Sequence, residues 1–155
     1  MMIMAVIGAD TKSYRREHRR SAKMTLSEVY SLPRVTKILS GMPGHAWAPG
    51  VALDLKCTDP YDALPWDFDN ADQRNRARAL FRAQRPMVLI GSPMCTAWCT
   101  WQRLNKHKRD PAIVAKEMVK ARLHLEFTME LYREQLEEGR IFIHEHRLHA
   151  TPWME

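Results

Sequence analysis

The pattern of apolar positions predicts short buried strands that alternate with helices. Residues 87–90, Met-Val-Leu-Ile, are four consecutive apolar residues, as expected for a strand buried on both faces of a parallel sheet. Residues 26–30, 50–55 and 140–146 are three further candidate strands. The apolar opening, residues 1–7, fits either a strand or a disordered start, because it lacks the basic flank and the length of a signal peptide.

Helices are predicted between these strands from the residues that start and stop them. For the first helix, Ser31 is a candidate N-cap, Pro33 suits the first turn and Gly41 provides a stop. The second helix begins at Asn70 or Asp72 and runs to about residue 84, before a proline at position 86.

The longest predicted helix begins at the N-cap Asp110, has Pro111 in its first turn and stops at Gly139. Its predicted apolar stripe, at steps of three and four residues, consists of Val114, Met118, Ala121, Leu125, Met129, Tyr132 and Leu136. Strand–helix–strand repeats connect through right-handed crossovers and build a parallel sheet. We therefore expect an α/β fold, a Rossmann-like and mostly parallel sheet flanked by helices. Residues 1–25 form a basic N-terminal segment, and residues 26–155 form the Rossmann-like domain.

The composition is that of an ordinary globular protein, with 155 residues of which 45% are apolar and 27% are charged. A chain of this length fits one domain with one core. No apolar run approaches the roughly 18 residues that span a bilayer, so we expect no membrane association. Three cysteines at uneven spacing give no disulfide framework. This predicts an intracellular location, cytoplasmic or, in a eukaryote, nuclear.

The net charge of +6 at pH 7 permits a polyanionic partner. Basic residues concentrate at positions 15–20, 74–85 and 103–109. The candidate nucleic-acid contacts are Arg103, Lys106, Lys108, Arg109 and Trp98. Trp98 is included, with Trp101 beside it, because an indole ring can stack on an exposed base. The alternatives are a solvated helix surface for each basic run, and core packing for at least one of these tryptophans.

A thiol and a carboxylate follow two of the predicted strands. Cys95 lies just after the turn that ends the strand at residues 87–90, and Glu145 lies near the end of the strand at residues 140–146. Because the carboxyl ends of neighbouring parallel strands share an edge, we expect both side chains to face one crevice, where ligands collect in open α/β sheets. A cysteine can add covalently to an electrophilic carbon, while a glutamate hydrogen-bonds or protonates the ring nitrogen that makes this carbon electrophilic. Taken singly, a small buried cysteine and an ordinary strand-end charge are the alternatives.

Asp54, near the end of the strand at residues 50–55, resembles the acid that binds ribose hydroxyls in Rossmann-like nucleotide sites. The chain contains neither G-x-G-x-x-G nor G-x-x-x-x-G-K-[ST], so ordinary dinucleotide and P-loop sites lose support. A zinc site is a further alternative, with the candidate ligands Cys95, Cys99, His144, His146 and His149. However, Cys95 and Cys99 would be four positions apart on a turn, and His144 and His146 would share one face of a strand. We therefore expect no metal.

The segment Gly91-Ser92-Pro93-Met94-Cys95, followed by a helix and a strand that ends in Glu145, resembles the core of the cytosine-C5 DNA methyltransferases. That family has a Pro-Cys nucleophile loop after one strand and a Glu after the next. The resemblance implies that Cys95 attacks C6 of cytosine, that Glu145 engages the N3 edge, and that S-adenosylmethionine delivers a methyl group to C5. Residues 31–34, Ser-Leu-Pro-Arg, are similar to a loop of methylase-like proteins of mobile elements and viruses.

The resemblance also implies a site for the cofactor S-adenosylmethionine. In it, Asp54 would be the acid that binds the ribose, and Asp67 or Asp69 would be the acid on the adenine side. Tyr30 and Ser31 would belong to the loop that approaches the cofactor. The complete set of predicted cofactor-binding residues is Tyr30, Ser31, Asp54, Asp69 and Pro93.

The chain departs from the family pattern, so we expect a truncated or divergent member. Its nucleophile loop has Pro-Met-Cys-Thr where the family has Pro-Pro-Cys-Gln, and the sequence stops at Glu155, before the family's later strands and target-recognition domain. We expect nucleic acid as the substrate, DNA rather than RNA, and a homodimer or a separate partner chain that completes the sheet. The alternative functions are a non-catalytic nucleic-acid- or protein-binding module on the same scaffold, and a small zinc-binding structural protein.

Overall fold

Four parallel strands form the centre of the structure, a computed structural model that describes residues 24–146. The strands are β1 (Thr25–Val29), β2 (Ala48–Leu53), β3 (Val88–Gly91) and β4 (Ile141–His144). Their order in the sheet is β2-β1-β3-β4, and each neighbouring pair is parallel. The expected α/β fold is confirmed, with a sheet that corresponds to an incomplete Rossmann-like fold. The expectations for residues 1–7, for the basic cluster at residues 15–20 and for His149 lie outside the described residues.

Helices pack on both faces of this sheet: α1 (Val35–Gly41) on one face, and α2 (Ala71–Gln84) and α4 (Pro111–Glu137) on the other. A shorter helix, α3 (Thr100–Asn105), lies between two 3-10 turns at Thr96–Trp98 and Lys106–Lys108. The predicted N-cap Asp110 is confirmed, because its side chain accepts the Ala112 N–H at 2.8 Å. Asn70, one of the two predicted start positions of α2, is the N-cap of that helix and accepts the Asp72 N–H at 2.8 Å. Each bond satisfies one of the first-turn N–H groups that have no acceptor within their own helix.

Helix α1 begins later than predicted, and the Ser31 cap is wrong. The N-cap position is Arg34, without a side-chain capping bond. The carboxylate of Glu28, on the neighbouring strand, accepts the Thr36 N–H at 2.9 Å and the Thr36 hydroxyl at 2.7 Å. Ser31 donates its hydroxyl to the other Glu28 oxygen at 3.1 Å. Glu28, only 1% exposed, therefore provides from the sheet the acceptor for a first-turn N–H group that an N-cap side chain provides in other helices.

The predicted buried stripe of α4 is also partly wrong. Met129 and Leu136 are 37% and 56% exposed, whereas the buried face carries several polar residues. This face consists of Ala121, His124, Phe127, Thr128, Leu131, Tyr132 and Gln135. The polar members are buried because the fold gives them partners. Gln135, for example, donates to the carbonyl oxygens of Pro86 at 3.1 Å and Ile141 at 3.0 Å, and it ties the helix to the amino-terminal ends of β3 and β4.

The main core lies between the sheet and helices α2 and α4. Its fully buried members are Val29, Leu53, Trp66, Phe68, Ala77, Phe81, Leu89, Phe127, Leu131 and Tyr132. At Gly91 the helix approaches the sheet so closely that a Cβ atom would lie 2.1 Å from the Tyr132 hydroxyl. That hydroxyl donates to the Gly91 carbonyl at 3.1 Å, so the glycine is required by this close contact.

The basic cluster at residues 74–85 forms ion pairs within the fold. Arg78 pairs with Glu130, Arg82 with Glu134 at 2.5 Å, and Arg85 with Glu138 at 3.0 Å, which links α2 to α4 and its C-terminal cap. Arg78 also lies over the ring of Phe127, 5.0 Å from its centroid. Acids of the same chain thus offset the positive charges of Arg78, Arg82 and Arg85, although the side chains of Arg82 and Arg85 remain 60% and 51% exposed.

Strand β4 lies at one edge of the described sheet. Two of its side chains, Ile141 and Ile143, point to the face opposite α4 and are 44% and 50% exposed. An exposed strand edge can pair with another chain.

Candidate active site

A crevice opens at the carboxyl ends of the first three strands. Tyr30 follows β1, Asp54 follows β2 and Ser92 follows β3, and all three line the crevice. The chain moves from β1 outward to β2 and then returns across β1 to β3, so the direction of winding changes between β1 and β3. Open α/β sheets bind ligands at such a switch point. The cavity volume is about 100 Å³, and its other lining residues are Leu55, Trp66, Asp67, Phe68, Asp69, Met94, Lys120 and His124.

The long loop between β2 and α2 forms one wall of the crevice. Arg76 of α2 fixes this loop by binding Asp59 at 2.8 Å and Asp62 at 2.5 Å, while its guanidinium lies over the ring of Tyr61. Arg74 donates to the Phe68 carbonyl at 2.6 Å. These contacts position the loop segment that carries the predicted Asp69, although the loop has little regular structure.

Three of the five predicted cofactor residues meet in this crevice, namely Tyr30, Asp54 and Asp69. The other two are not among its lining residues. Ser31 is buried and turned towards Glu28, as described above. Pro93 is buried between Ser92 and Met94, both of which do line the crevice. The structure thus brings Tyr30, Asp54 and Asp69 together in the crevice. Ser31 and Pro93 are buried beneath its lining.

Asp69 has two partners on helix α4. Its carboxylate pairs with Lys120 and accepts from His124 Nε2 at 3.0 Å. Burial would raise the pKa of Asp69, but these two contacts outweigh it and hold the pKa below its usual value. The carboxylate predicted to be the adenine-side acid is therefore ionised and already engaged within the protein.

His124 also contacts the other wall of the crevice. Its Nδ1 lies 2.7 Å from the Tyr30 hydroxyl. Burial lowers the pKa of His124, and Lys120 and Arg74 add to this effect, while Asp69 opposes it. Burial is also the main reason that the pKa of the Tyr30 phenol is raised. At neutral pH the imidazole and the phenol are both uncharged.

Neither His124 nor Lys120 was among the residues predicted from the sequence. They lie four positions apart on α4, and with Glu117 and Thr128 they form a polar line along a helix whose apolar residues suggested a different buried face. This line of polar residues at helical spacing is the signal that was available. It identifies a face of the helix, but not the loop that this face contacts.

The predicted proximity of the β3 and β4 ends is confirmed by backbone contacts. Glu145 donates its N–H to the Gly91 carbonyl at 2.9 Å, and its carboxylate accepts the Ser92 hydroxyl at 2.8 Å. Cys95 begins the Thr96–Trp98 turn and is half-buried. Glu145 is thereby bound to the loop that carries Cys95. Neither residue lines the crevice described above.

Cys57 differs from Cys95 in its surroundings. It packs against the main core, where burial and the nearby Asp54 carboxylate raise the pKa of its thiol. A raised pKa reduces the thiolate fraction and hence the nucleophilicity of the sulfur. Cys57 and Cys95 are both free thiols.

A second depression of about 280 Å³ adjoins the crevice on the far side of Met94 and Lys120. It is largely apolar and lies between the Thr96–Trp98 turn and α4, with Ala97 and Ala121 in its walls. Its other lining residues are Thr96, Gln102 and Glu117. Because Met94 and Lys120 belong to both cavities, a ligand longer than the crevice has a continuous surface along which to extend.

The predicted nucleic-acid contacts are only partly available. Trp98 is 2% exposed and packs against Ala121 in a small second core, so its ring offers no face to a base, and the predicted stacking role is corrected to core packing. Arg109 donates to Gln102 and Glu117, each at 2.6 Å, so a neighbouring acid offsets its charge. Lys108 is exposed. Arg103 and Lys106 follow on α3 and the next turn, and their side chains lie outside the described part of the structure.

The zinc alternative has no geometric support among residues 24–146, where no group of three or more His, Cys, Asp or Glu side chains is placed to hold a metal ion. A hydrogen bond of 3.0 Å joins His144 Nδ1 to the Tyr132 hydroxyl. The His144 ring also stacks on His146, with the ring centroids 5.4 Å apart. Burial lowers the pKa of His144, and His146 lowers it further.

Comparisons with known proteins give no match to a protein-family sequence model, to a curated protein or to a solved structure. Among the described helices, none is both long and apolar enough to cross a membrane.

Proposed function

We propose that this chain is an S-adenosylmethionine-dependent enzyme that methylates C5 of cytosine in nucleic acid through a covalent adduct with Cys95. One observation carries the proposal. The ends of all four strands meet at one edge, where Asp54 lines a crevice at the switch point and Glu145 is bound to the loop that bears Cys95. Cofactor-type and nucleophile-type residues therefore share the edge at which α/β sheets bind ligands.

The residues of the crevice fit an adenosyl ligand with a positively charged sulfonium. The Asp54 carboxylate can accept hydrogen bonds from both ribose hydroxyls, and Asp67 and Asp69 give the wall a negative character. Trp66 and Phe68 supply apolar surface. The crevice alone is smaller than the roughly 300–1,000 Å³ of sites for ligands of this size. The ligand would therefore extend into the second depression beyond Met94 and Lys120.

The chemistry assigned to the chain is nucleophilic catalysis. The Cys95 thiolate forms a bond to C6 of cytosine, and the C5=C6 electron pair becomes available at C5 while Glu145 hydrogen-bonds or protonates N3. S-adenosylmethionine, if held in the crevice, would supply the methyl group to C5 and leave as S-adenosylhomocysteine. Transfer of the C5 proton to water and departure of the thiolate from C6 would then restore the aromatic ring. In this scheme Ser92 positions Glu145, because its hydroxyl donates to that carboxylate.

The second candidate function is a non-catalytic nucleic-acid- or protein-binding module on the same scaffold. The observation that favours it is the engagement of Asp69 by Lys120 and His124, together with the placement of Cys95 and Glu145 outside the crevice lining. In either case we propose DNA as the nucleic acid and an intracellular location, which suits the free thiols. A second copy or a separate chain would cover the exposed β4 edge.

Ligand binding tests the cofactor assignment. Calorimetry and thermal unfolding with S-adenosylmethionine should show binding, and a hundredfold excess over Kd adds about 2.7 kcal/mol to the free energy of unfolding. Asp54→Asn should raise Kd by about thirtyfold, because the two hydrogen bonds from the ribose hydroxyls would each lose about 1 kcal/mol when the carboxylate becomes an amide. The matched control is Asp72→Asn, an exposed acid in the first turn of α2, which should bind like the wild type. No binding by the wild-type protein rejects the cofactor assignment.

Adduct formation separates the two candidate functions. An oligonucleotide that contains 5-fluorocytosine should be trapped on Cys95 in the presence of S-adenosylmethionine, with the mass of the covalent complex as the measurement. Cys95→Ser should abolish the adduct, whereas Cys57→Ser should leave it in place. Binding of the oligonucleotide without an adduct would favour the non-catalytic module, and an adduct that survives Cys95→Ser would remove Cys95 from the role.

A further inference from the structure

His124 of α4 contacts two walls of the crevice, one through each ring nitrogen. Nε2 faces Asp69 of the long loop at 3.0 Å, and Nδ1 faces Tyr30 at the end of β1 at 2.7 Å. The ring is almost fully buried, with 4% of the residue exposed. Its backbone carbonyl is also occupied, because it accepts the Thr128 hydroxyl at 2.8 Å.

These two contacts define the protonation of the ring. An ionised carboxylate can only accept hydrogen bonds. Nε2 of His124 therefore carries a proton and donates a hydrogen bond to Asp69. In the neutral imidazole Nδ1 then has no proton, and it accepts the hydroxyl of Tyr30. Protonation at Nδ1 would turn this acceptor into a donor. The Tyr30 hydroxyl would then have to reverse its direction.

Tyr30 occupies a backbone conformation that needs external support. Its φ angle is 56°, in the left-handed region that residues with side chains rarely adopt. The ring is held by edge contacts with Phe68 and Phe127, whose centroids lie 4.9 Å and 6.3 Å away. The hydrogen bond to His124 holds the hydroxyl end. Strained residues of this kind are characteristic of ligand sites, where the surrounding structure fixes them.

We propose that His124 is a positioning residue of the crevice, whose neutral ring holds Tyr30 and Asp69 in place through one hydrogen bond to each, and that protonation of the ring weakens ligand binding. This inference deepens the proposed function and rests on it. Charged groups from each packed element act on the ring. Lys120 on α4 and Arg74 on α2 oppose its protonation, while Asp69 on the long loop favours it. Asp67 of the same loop acts on Tyr30 and Lys120.

The state of the ring can be measured without any ligand. Nitrogen NMR of histidine-labelled protein, with His124→Asn as the assignment reference, should show Nε2 protonated and Nδ1 unprotonated at neutral pH. The pKa should lie below the ordinary value of about 6.5. A proton on Nδ1 at neutral pH, or an ordinary pKa, overturns the inference whether or not S-adenosylmethionine binds.

The coupling to the ligand is measured by the pH dependence of Kd for S-adenosylmethionine between about pH 8 and about pH 5. In the wild type, Kd should rise by about tenfold per pH unit once the pH falls below the pKa of His124, because only the neutral form binds well. His124→Asn keeps an amide near the position of Nδ1 but loses the contact to Asp69 and does not titrate. It should therefore bind more weakly than the wild type at pH 8 and lose this slope. An unchanged slope in that variant overturns the inference.

Two further variants separate positioning from general stability. Tyr30→Phe removes only the hydroxyl, and it should weaken binding at pH 8 and reduce the slope although the ring packing is retained. His107→Asn, at an exposed position in the turn after α3, should change neither. Equal loss of binding at every pH in Tyr30→Phe and His124→Asn, with the slope retained, would indicate a purely structural role and reject the inference. Absence of binding by the wild type at pH 8 rejects the proposed function. The proposed hydrogen bonds of His124 to Tyr30 and Asp69 are then tested by the NMR result alone.

Discussion

Replacement of Glu28 by glutamine should destabilise the protein in a way that depends on pH. The carboxylate is buried and accepts two hydrogen bonds from Thr36 and one from Ser31, and the backbone N–H of Val35 also acts on it. A glutamine can turn its oxygen towards Thr36 and its amide nitrogen towards the Ser31 oxygen. The Ser31 hydroxyl, which lies 2.8 Å from the Leu32 carbonyl, then donates its proton to that carbonyl instead of to residue 28. No donor is then left without a partner, so the loss is the difference between charge-assisted and neutral bonds to Thr36. This difference is about 1 kcal/mol per bond, or about 2 kcal/mol in total at pH 7.

The pH dependence follows from the direction of the pKa shift. Burial alone would raise the pKa of Glu28, but the hydrogen bonds from Thr36, Val35 and Ser31 outweigh it and lower the pKa. A lowered pKa in the folded state means that the stabilisation is fully present above the pKa of the unfolded chain, about 4.3, and is lost as the pH falls through the folded value. The difference between wild type and Glu28→Gln should therefore be largest near neutral pH and shrink in acid.

Urea unfolding followed by tryptophan fluorescence measures this difference, at pH 7 and at several values below about pH 4.5. The control is Glu126→Gln, an exposed glutamate on α4, which should change the free energy of unfolding by less than about 0.5 kcal/mol. Thr36→Val removes one of the two bonds and should show about half of the effect at pH 7. Equal stability of wild type and Glu28→Gln at pH 7, or a difference that does not change with pH, would refute the assignment of Glu28 as the cap of α1.

Three further outcomes are expected. Gly91→Ala should lose about 1–3 kcal/mol in urea unfolding, because the new methyl group displaces the Tyr132 hydroxyl; no loss would contradict the close contact. Trp98→Ala should lose about 3–5 kcal/mol, since the ring is a core residue, whereas a surface stacking residue would leave stability unchanged. Replacement of the four arginines within residues 15–20 by glutamine should reduce the log–log salt slope of DNA binding by up to about 0.7–0.9 per lost phosphate contact. Arg82→Gln, which breaks an internal ion pair, should leave that slope unchanged.

Local chemistry explains which parts of the fold could be predicted from the sequence. The strand at residues 87–90 is a continuous apolar run, and Asn70 and Asp110 cap helices through bonds to residues two positions away. Such signals lie within a few residues of each other. The α1 cap could not be found in this way, because its acceptor is Glu28, eight positions from Thr36 and on another element.

The buried face of α4 shows a second reason why part of the fold could not be predicted from the sequence. Apolar periodicity favoured Met129 and Leu136, yet the structure buries His124 and Gln135 instead. Polar side chains can be buried once backbone carbonyls or loop carboxylates satisfy them, and those partners come from elements far away in the chain. The same reason explains why Asp54 could be recognised at its strand end while the partners of Asp69 could not.

The distribution of charge bears on how this chain would contact nucleic acid. Residues 1–23 carry six basic and two acidic side chains, so four of the six excess positive charges belong to that segment. Within the fold, Arg78, Arg82 and Arg109 are matched by glutamates of α4. The crevice is lined by three acids, Asp54, Asp67 and Asp69, and by one lysine, Lys120, so that its net charge disfavours phosphate and favours a cationic ligand. If the chain binds both a polyanion and the proposed cofactor, the two would therefore be bound by different parts of the chain, and a variant should remove one while leaving the other intact.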